Sequence, residues 1–320
     1  MERFQPRGRP QGNPPVEKPY AFVPLPQGAA RRQPPIGHHQ YRDNLLTGTL
    51  EGIITARSPV HVASGQLELT NKQPSLVQAH FRRAGQPTLP GSSLKGAIRS
   101  IVEAIARPPA CLRVTRARRH QQPQQARACD DKTNLCVACQ MFGAMGYLGQ
   151  IHVHDAVLST GEMAIITIPS LFAPRDREGL YFIDGQVRGR KFYRHGTLAR
   201  GSVPIEACTV GAQFRLRVDF TNLSAAQLGL LLIAMGQGTP ALHPKLGGAK
   251  PACCGSVAIH TTGLHVLSAR DAALEYDTVT QALEIAPLTQ VITLVNQEAL
   301  AQLAQILAYP GDTACPGGTY

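Results

Sequence analysis

The chain has 320 residues, with 32 Lys and Arg against 21 Asp and Glu, a formal net charge of +11 at pH 7. Hydrophobic residues are 43% and aromatics 5%, with no Trp, which is enough to bury a core but poor in the aromatic platforms that base stacking needs. The strongest apolar run, Leu228 to Met235, falls far short of the roughly 20 residues of a membrane helix; residues 1–15 lack the apolar stretch of a secretory signal, so a cytoplasmic protein with an anionic partner and no membrane is expected.

Residues 1–42 hold nine prolines, which forbid helix and central strand. This segment reads as a proline-rich arm, mobile over 1–18 and an ordered strap over 19–42. The core is expected over 43–270. The β-branched residues Thr49, Ile53, Ile54, Thr55, Val60 and Val62 predict strand over 47–63, interrupted by Pro59 as two short strands or a bulge. Residues 64–90 read as a polar loop. Leu94, Ile98, Ile101, Val102 and Ile105 lie on one helical face, capped by Ser92 or Ser93 and ended by Pro108-Pro109.

Residues 108–140 are a basic insertion: no acidic residue stands between Glu103 and Asp130, against six Arg. Residues 149–158 alternate as a strand. A second insertion, 163–207, offers a strand at 164–168 and a charged loop over 175–200. The clearest strand is 213–220. A helix over 223–236 follows, capped by Asn222 or Ser224. A glycine-rich stretch, 237–256, and a strand over 256–268 complete the core. A C-terminal extension, 271–320, ends in a short helix over 297–307. Strand, helix, strand, strand, helix, strand is the order of the split βαβ, ferredoxin-like fold.

Three features carry chemistry. The turn Pro90-Gly91-Ser92-Ser93 opens a helix whose start offers free N–H groups to an anion, and Lys95 and Arg99 share one face of it. An ordinary capped helix with a solvated basic edge would look the same. Lys245-Leu246-Gly247-Gly248-Ala249-Lys250 lets the backbone approach a ligand closely while supplying charge; a flexible loop is the plain alternative. The third feature is the cysteines, eight in all. In a cytosolic chain they argue for metal or free thiols rather than disulfides. Cys136-x-x-Cys139 with Cys111 and Cys129 suits a tetrahedral structural zinc, with His120 able to replace one thiol. Cys208, Cys253, Cys254 and Cys315 receive no role. His152, His154 and Asp155 could form a site, although histidines on a strand face are usually structural.

Pro90-Gly91-Ser92-Ser93-Leu94-Lys95-Gly96 with Arg99 resembles the helix-start motif of the RAMP superfamily, the RNA-binding proteins of CRISPR systems. Phe142-Gly143 with Gly149-Gln150-Ile151 and Asp155-Ala156 resembles the next block of that family. Gly247-Gly248-x-Lys250 with Gly255 resembles its C-terminal glycine-rich loop, and Pro19 to Pro26 is similar to the start of one type III subgroup. The resemblance covers residues 19 to about 260 in order. It implies an α+β, modified ferredoxin-like (RRM-like) core with a zinc-bound insertion, and a backbone subunit of a type III effector that binds guide RNA and supports target RNA pairing beside other CRISPR effector subunits. It implies phosphate contacts by Ser92, Ser93, Lys95, Arg99, Lys245, Gly247, Gly248 and Lys250, and a thumb-like hairpin within 64–88, with 175–200 as second candidate. Members that cleave target RNA carry an acidic residue, usually Asp, in the loop after the first strand. Here Glu68 is the only carboxylate between Glu51 and Glu103. The expectation is therefore binding without cleavage. A Mg²⁺-dependent endoribonuclease using Glu68, or a purely structural zinc protein, are the alternatives.

Overall fold

A computed structural model describes residues 18–71, 73–112, 123–171, 181–274, 280–311 and 313–315. In chain order its main elements are β1 (Tyr20–Val23), β2 (Leu46–Ala56), β3 (Ala63–Leu69), β4 (Leu76–His80), β5 (Gln86–Leu89), α1 (Gly91–Ile105) and α2 (Val137–Phe142). There follow β6 (Ile151–Val153), β7 (Ala156–Thr160), β8 (Met163–Ile168), β9 (Arg190–Tyr193), β10 (Val203–Cys208), β11 (Gln213–Leu223), α3 (Ala225–Ala234), β12 (Val257–Leu267) and α4 (Gln297–Ile306). Residues 1–17 of the arm expected to be mobile over 1–18, and His120, lie outside the described residues.

The molecule is mixed α+β with antiparallel sheets. Its main sheet runs β12–β2–β11–β7–β5, with β6 also on β11. β2 is antiparallel to both β11, with Leu216 opposite Gly52, and β12, with Ile259 opposite Ile54. Alternation sets the faces. Leu50, Ile54, Phe214, Leu216, Val218, Phe220, Val257 and Ile259 are buried on one side. Arg215 and Arg217 on β11, with His260 on β12, are exposed. Against the buried face pack α1, through Leu94, Ile98, Ile101, Val102 and Ile105 as the spacing predicts, and α3, which is apolar nearly all round and buried from Leu228 through Met235. α3 starts with a full capping box: the Ser224 hydroxyl accepts the Gln227 N–H, and the Gln227 side chain accepts the Ser224 N–H.

Several boundaries differ from the sequence expectation. β2 is one uninterrupted strand ending three residues before Pro59, not two short ones. The expected strand 149–158 is two, β6 and β7. Residues 64–90 are not a loop. They form the β3–β4 hairpin and then β5. The hairpin continues a second sheet, β3–β4–β10–β8. All seven residues of β3 are exposed, so no apolar alternation marked it. α1 begins at Gly91 with Pro90 in the capping position, and neither Ser92 nor Ser93 caps it. The strap is ordered: β1 pairs antiparallel with β9, Tyr20 opposite Tyr193, inside the stretch read as a charged loop. Cys253 and Cys315 form a disulfide, against the expectation of metal or free thiols only. Among the described residues no helix is long and apolar enough to cross a membrane.

Candidate nucleic-acid interface and cysteine centre

The glycine-rich loop runs against the segment that follows β2. Gly248 N–H donates to the His61 carbonyl (2.7 Å), Leu246 N–H to Gly255 (2.8 Å) and Gly255 N–H to Pro59 (2.8 Å). Gly247 has φ +74°, and a Cβ there would stand 2.1 Å from the His61 carbonyl oxygen, so this approach is open to glycine alone. The loop thereby faces α1 across a groove of about 480 Å³. Ser92, Ser93, Gly96, Ala97 and Ser100 form one wall, all small residues on one side of the helix. Lys245, Gly247, Gly248 and Lys250 form the second, and Lys191 and Tyr193 of β9 the third. Among the described residues no carboxylate lines it.

The lysines differ in their surroundings. Lys245 is buried; its Nζ donates to the Arg194 carbonyl (2.9 Å), and burial pulls its pKa down to about 8. Lys191 sits among tyrosine rings, its Nζ 4.2 Å from the Tyr20 centroid and 4.6 Å from that of Tyr193. Burial, with Lys18 nearby, lowers it to about 8 as well. Lys250 is lowered by burial. Such desolvated cations, without a carboxylate among them, suit an anionic ligand.

Lys95 and Arg99 do share a helix face, but it is the face turned from the groove. Lys95 Nζ donates to the Ile151 carbonyl (2.6 Å). Arg99 donates to Glu103 (2.7 Å), to the Gly143 carbonyl (2.8 Å) and to Cys139 Sγ (3.3 Å). The helix start is likewise engaged from within: Gly91 N–H donates to Asp155 Oδ1 (2.8 Å), which holds that carboxyl below the usual range. Arg83 pairs with its other oxygen (2.8 Å). Sequence reading placed Asp155 in a family block without seeing this contact. His154 pairs with Asp219, and its ring stands 4.5 Å from that of His152.

Glu68 is half exposed on β3 and stands 3.8 Å from Arg82, which is bidentate on Glu206 (2.8 and 2.9 Å). Beneath lie His61 and His80, both buried. Val62 N–H donates to His80 Nδ1 (3.2 Å), and burial lowers His80 to about 4. Nothing in the sequence marked this pair.

Cys111, Cys129, Cys136 and Cys139 converge, their sulfurs all within 4.8 Å of one another and all four buried. They complete a tetrahedral donor set without His120. Cys136 caps α2 and its N–H donates to Cys129 Sγ (3.3 Å). Its hydrogen bond with Cys111 draws the Cys136 thiol down to about 7. The surrounding charge tests the fit. Arg99 reaches Cys139, Arg32 hydrogen-bonds Cys129, and Arg190 donates to the Cys111 carbonyl (2.9 Å). Against these three guanidiniums stands one buried carboxylate, Glu103, shared by Arg99 and Arg190. The surplus of two positive charges matches the charge of a divalent ion held by four thiolates. The cysteines therefore fit a structural zinc, which would tie the two ends of the insertion together, with Arg99 of α1 and Arg32 of the strap on its thiols. Among the described residues this is the one group of three or more metal-capable side chains.

Compared with known proteins, residues 53–232, more than half of the chain, match the family model described as the RAMP superfamily. No curated protein matched the chain.

Proposed function

This chain belongs to the RAMP superfamily, and on that premise we propose that it is a guide-binding backbone subunit of a type III CRISPR ribonucleoprotein. Family membership carries the RNA-binding role in a CRISPR effector. The finer reading rests chiefly on one observation: the small-residue face of α1 and the glycine-rich loop meet in a groove lined by three lysines and no carboxylate. Guide RNA would lie there by its phosphates. Lys250, Lys191 and Lys245 supply charge, and Ser92, Ser93, Gly247 and Gly248 supply donors close to the backbone. Binding of this kind is blind to sequence, as it must be when base pairing reads the target.

The order β12–β2–β11–β7, with α1 and α3 on one face, supports the modified ferredoxin-like core. The exposed β3–β4 hairpin supports the thumb-like role against guide and target RNA, and the strap is suited to neighbouring effector subunits. The reading includes no cleavage step: Glu68 is the only carboxylate between Glu51 and Glu103, and it stands on an exposed strand beside Arg82.

The test is expression beside a repeat array, followed by sizing of RNase-sensitive RNA and titration of single-stranded RNA. Guide-length RNA is expected to co-purify. Lys250→Ala and Lys191→Ala are each expected to weaken binding several-fold and to flatten the salt dependence by about 0.7 in log–log slope, one phosphate contact on a single strand. Protein that carries no RNA and binds none in titration would overturn the proposal.

A further inference from the structure

We propose that the buried relay Arg99–Glu103–Arg190 couples the cysteine centre to the third wall of the groove, so that metal retention and RNA binding reinforce each other. This rests on the RNA-binding reading of the groove. The wall in question is β9, which among the described residues pairs only with β1 of the strap, in a two-stranded ribbon. A two-stranded ribbon does not hold its position in water unaided, so something must seat it.

Arg190 does so. It is 9% exposed, and its Nη1 donates to Glu103 Oε2 (2.6 Å) while its Nη2 donates to the Cys111 carbonyl (2.9 Å). The other Glu103 oxygen takes Arg99 Nε (2.7 Å), and Arg99 Nη2 reaches Cys139 Sγ (3.3 Å). Glu103 and Arg190 are buried and their ion pair is 2.6 Å long, the setting in which removing one partner is most disruptive. The residue after Arg190 is Lys191, which with Tyr193 lines the groove. α1 carries both ends of the coupling, since its Ser92–Ser100 side forms a groove wall and its Arg99–Glu103 side holds the relay. Without the thiolate-bound metal, two guanidiniums would share one carboxylate, and the ribbon would lose the charge balance that anchors it. Arg190 is thus a positioning residue, acting on RNA through the seat of Lys191.

Coupling of binding sites is reciprocal. The experiment measures zinc affinity of the full-length, zinc-loaded chain by competition with a metallochromic chelator, with and without saturating single-stranded RNA. RNA is expected to tighten zinc about fivefold or more in the wild type. With Arg190→Gln the effect is expected to vanish while zinc and RNA still bind separately, and Arg190→Lys is expected to restore part of it. A general gain in fold stability on RNA binding would persist in Arg190→Gln, so an undiminished RNA effect there overturns the proposal. Should Arg190→Gln not fold, Arg190→Lys decides: coupling equal to wild type overturns it, and reduced coupling supports it. RNA that binds the wild type without changing zinc affinity also overturns the coupling and leaves the RNA reading standing. RNA that does not bind at all removes both.

Discussion

Lys191 and Lys245 both titrate near pH 8 because burial penalises their charged forms. Lys191 faces Tyr20, Tyr181 and Tyr193 with Lys18 nearby; Lys245 faces the Arg194 carbonyl, Cys254 and Lys250. A neighbouring anion would hold either ammonium charged. A phosphate would do so, and would raise both values. The sign follows: RNA favours the protonated lysines, so affinity is complete below about pH 7 and is lost as pH rises through 8, with proton uptake on binding. Up to about tenfold per lysine is expected between pH 7 and 9, because a group of pKa 8 is then roughly nine-tenths deprotonated. Titration of single-stranded RNA across that range is the measurement. Lys191→Arg stays charged throughout and is expected to flatten the profile. Which cations would line the groove was readable only in part: Lys245 and Lys250 belong to the glycine-rich stretch that lines it. Lys95 and Arg99 sit at the right spacing in the right motif, yet a rotation of roughly 100° about the helix per residue turns them inward, to the Ile151 carbonyl and Glu103. Lys191 belongs to a stretch with no motif at all.

At the scale of elements, the helices show what local chemistry does and does not fix. α3 follows its sequence closely: a serine, then Gln three residues on, then an unbroken apolar run. Ser224→Ala removes the acceptor for Gln227 N–H and is expected to cost about 0.5–2 kcal/mol, read as a lowered midpoint in urea with the slope unchanged. α1 has serines placed equally well, but Pro90 takes the capping position and Asp155, on the far side of the insertion, accepts Gly91 N–H. That partner is 64 residues away in sequence, beyond any pattern of local spacing. The same contrast runs through the strands. β11 alternates Phe214, Leu216, Val218 and Phe220 inward with Arg215 and Arg217 outward, and its period is plain in the sequence. β3 buries nothing. It is held by pairing with β4, so hydrophobic period could not announce it, and β9 is only four residues long, with Arg190 at one of its two buried positions and Phe192 at the other. The cysteine centre was legible because thiols are few and their chemistry is specific; spacing alone brought four of the eight together, while the Cys253–Cys315 pair had no local signature.

For the whole molecule the question is whether RNA would meet a general positive surface or one groove. A net charge of +11 draws any polyanion, and composition alone predicts no more than that. The fold concentrates the answer. Several cations are spent internally: Arg82 on Glu206, Arg83 on Asp155, Arg99 and Arg190 on Glu103. Three lysines line the groove. Counterion release makes the two cases separable, because each phosphate neutralised on a single strand contributes about −0.7 to the slope of log K against log salt. Three groove lysines predict a slope of about −2, whereas engagement of the entire surplus charge predicts about −8. Over a fourfold change in salt the first loses about 20-fold in affinity and the second more than 10,000-fold. Filter binding of single-stranded RNA to the purified chain across that range gives the slope directly. The groove predicts −2 for the wild type and about −0.7 for the Lys191→Ala, Lys250→Ala double variant. A slope near −8 that ignores the double substitution would assign binding to the surface at large and leave the groove without its RNA.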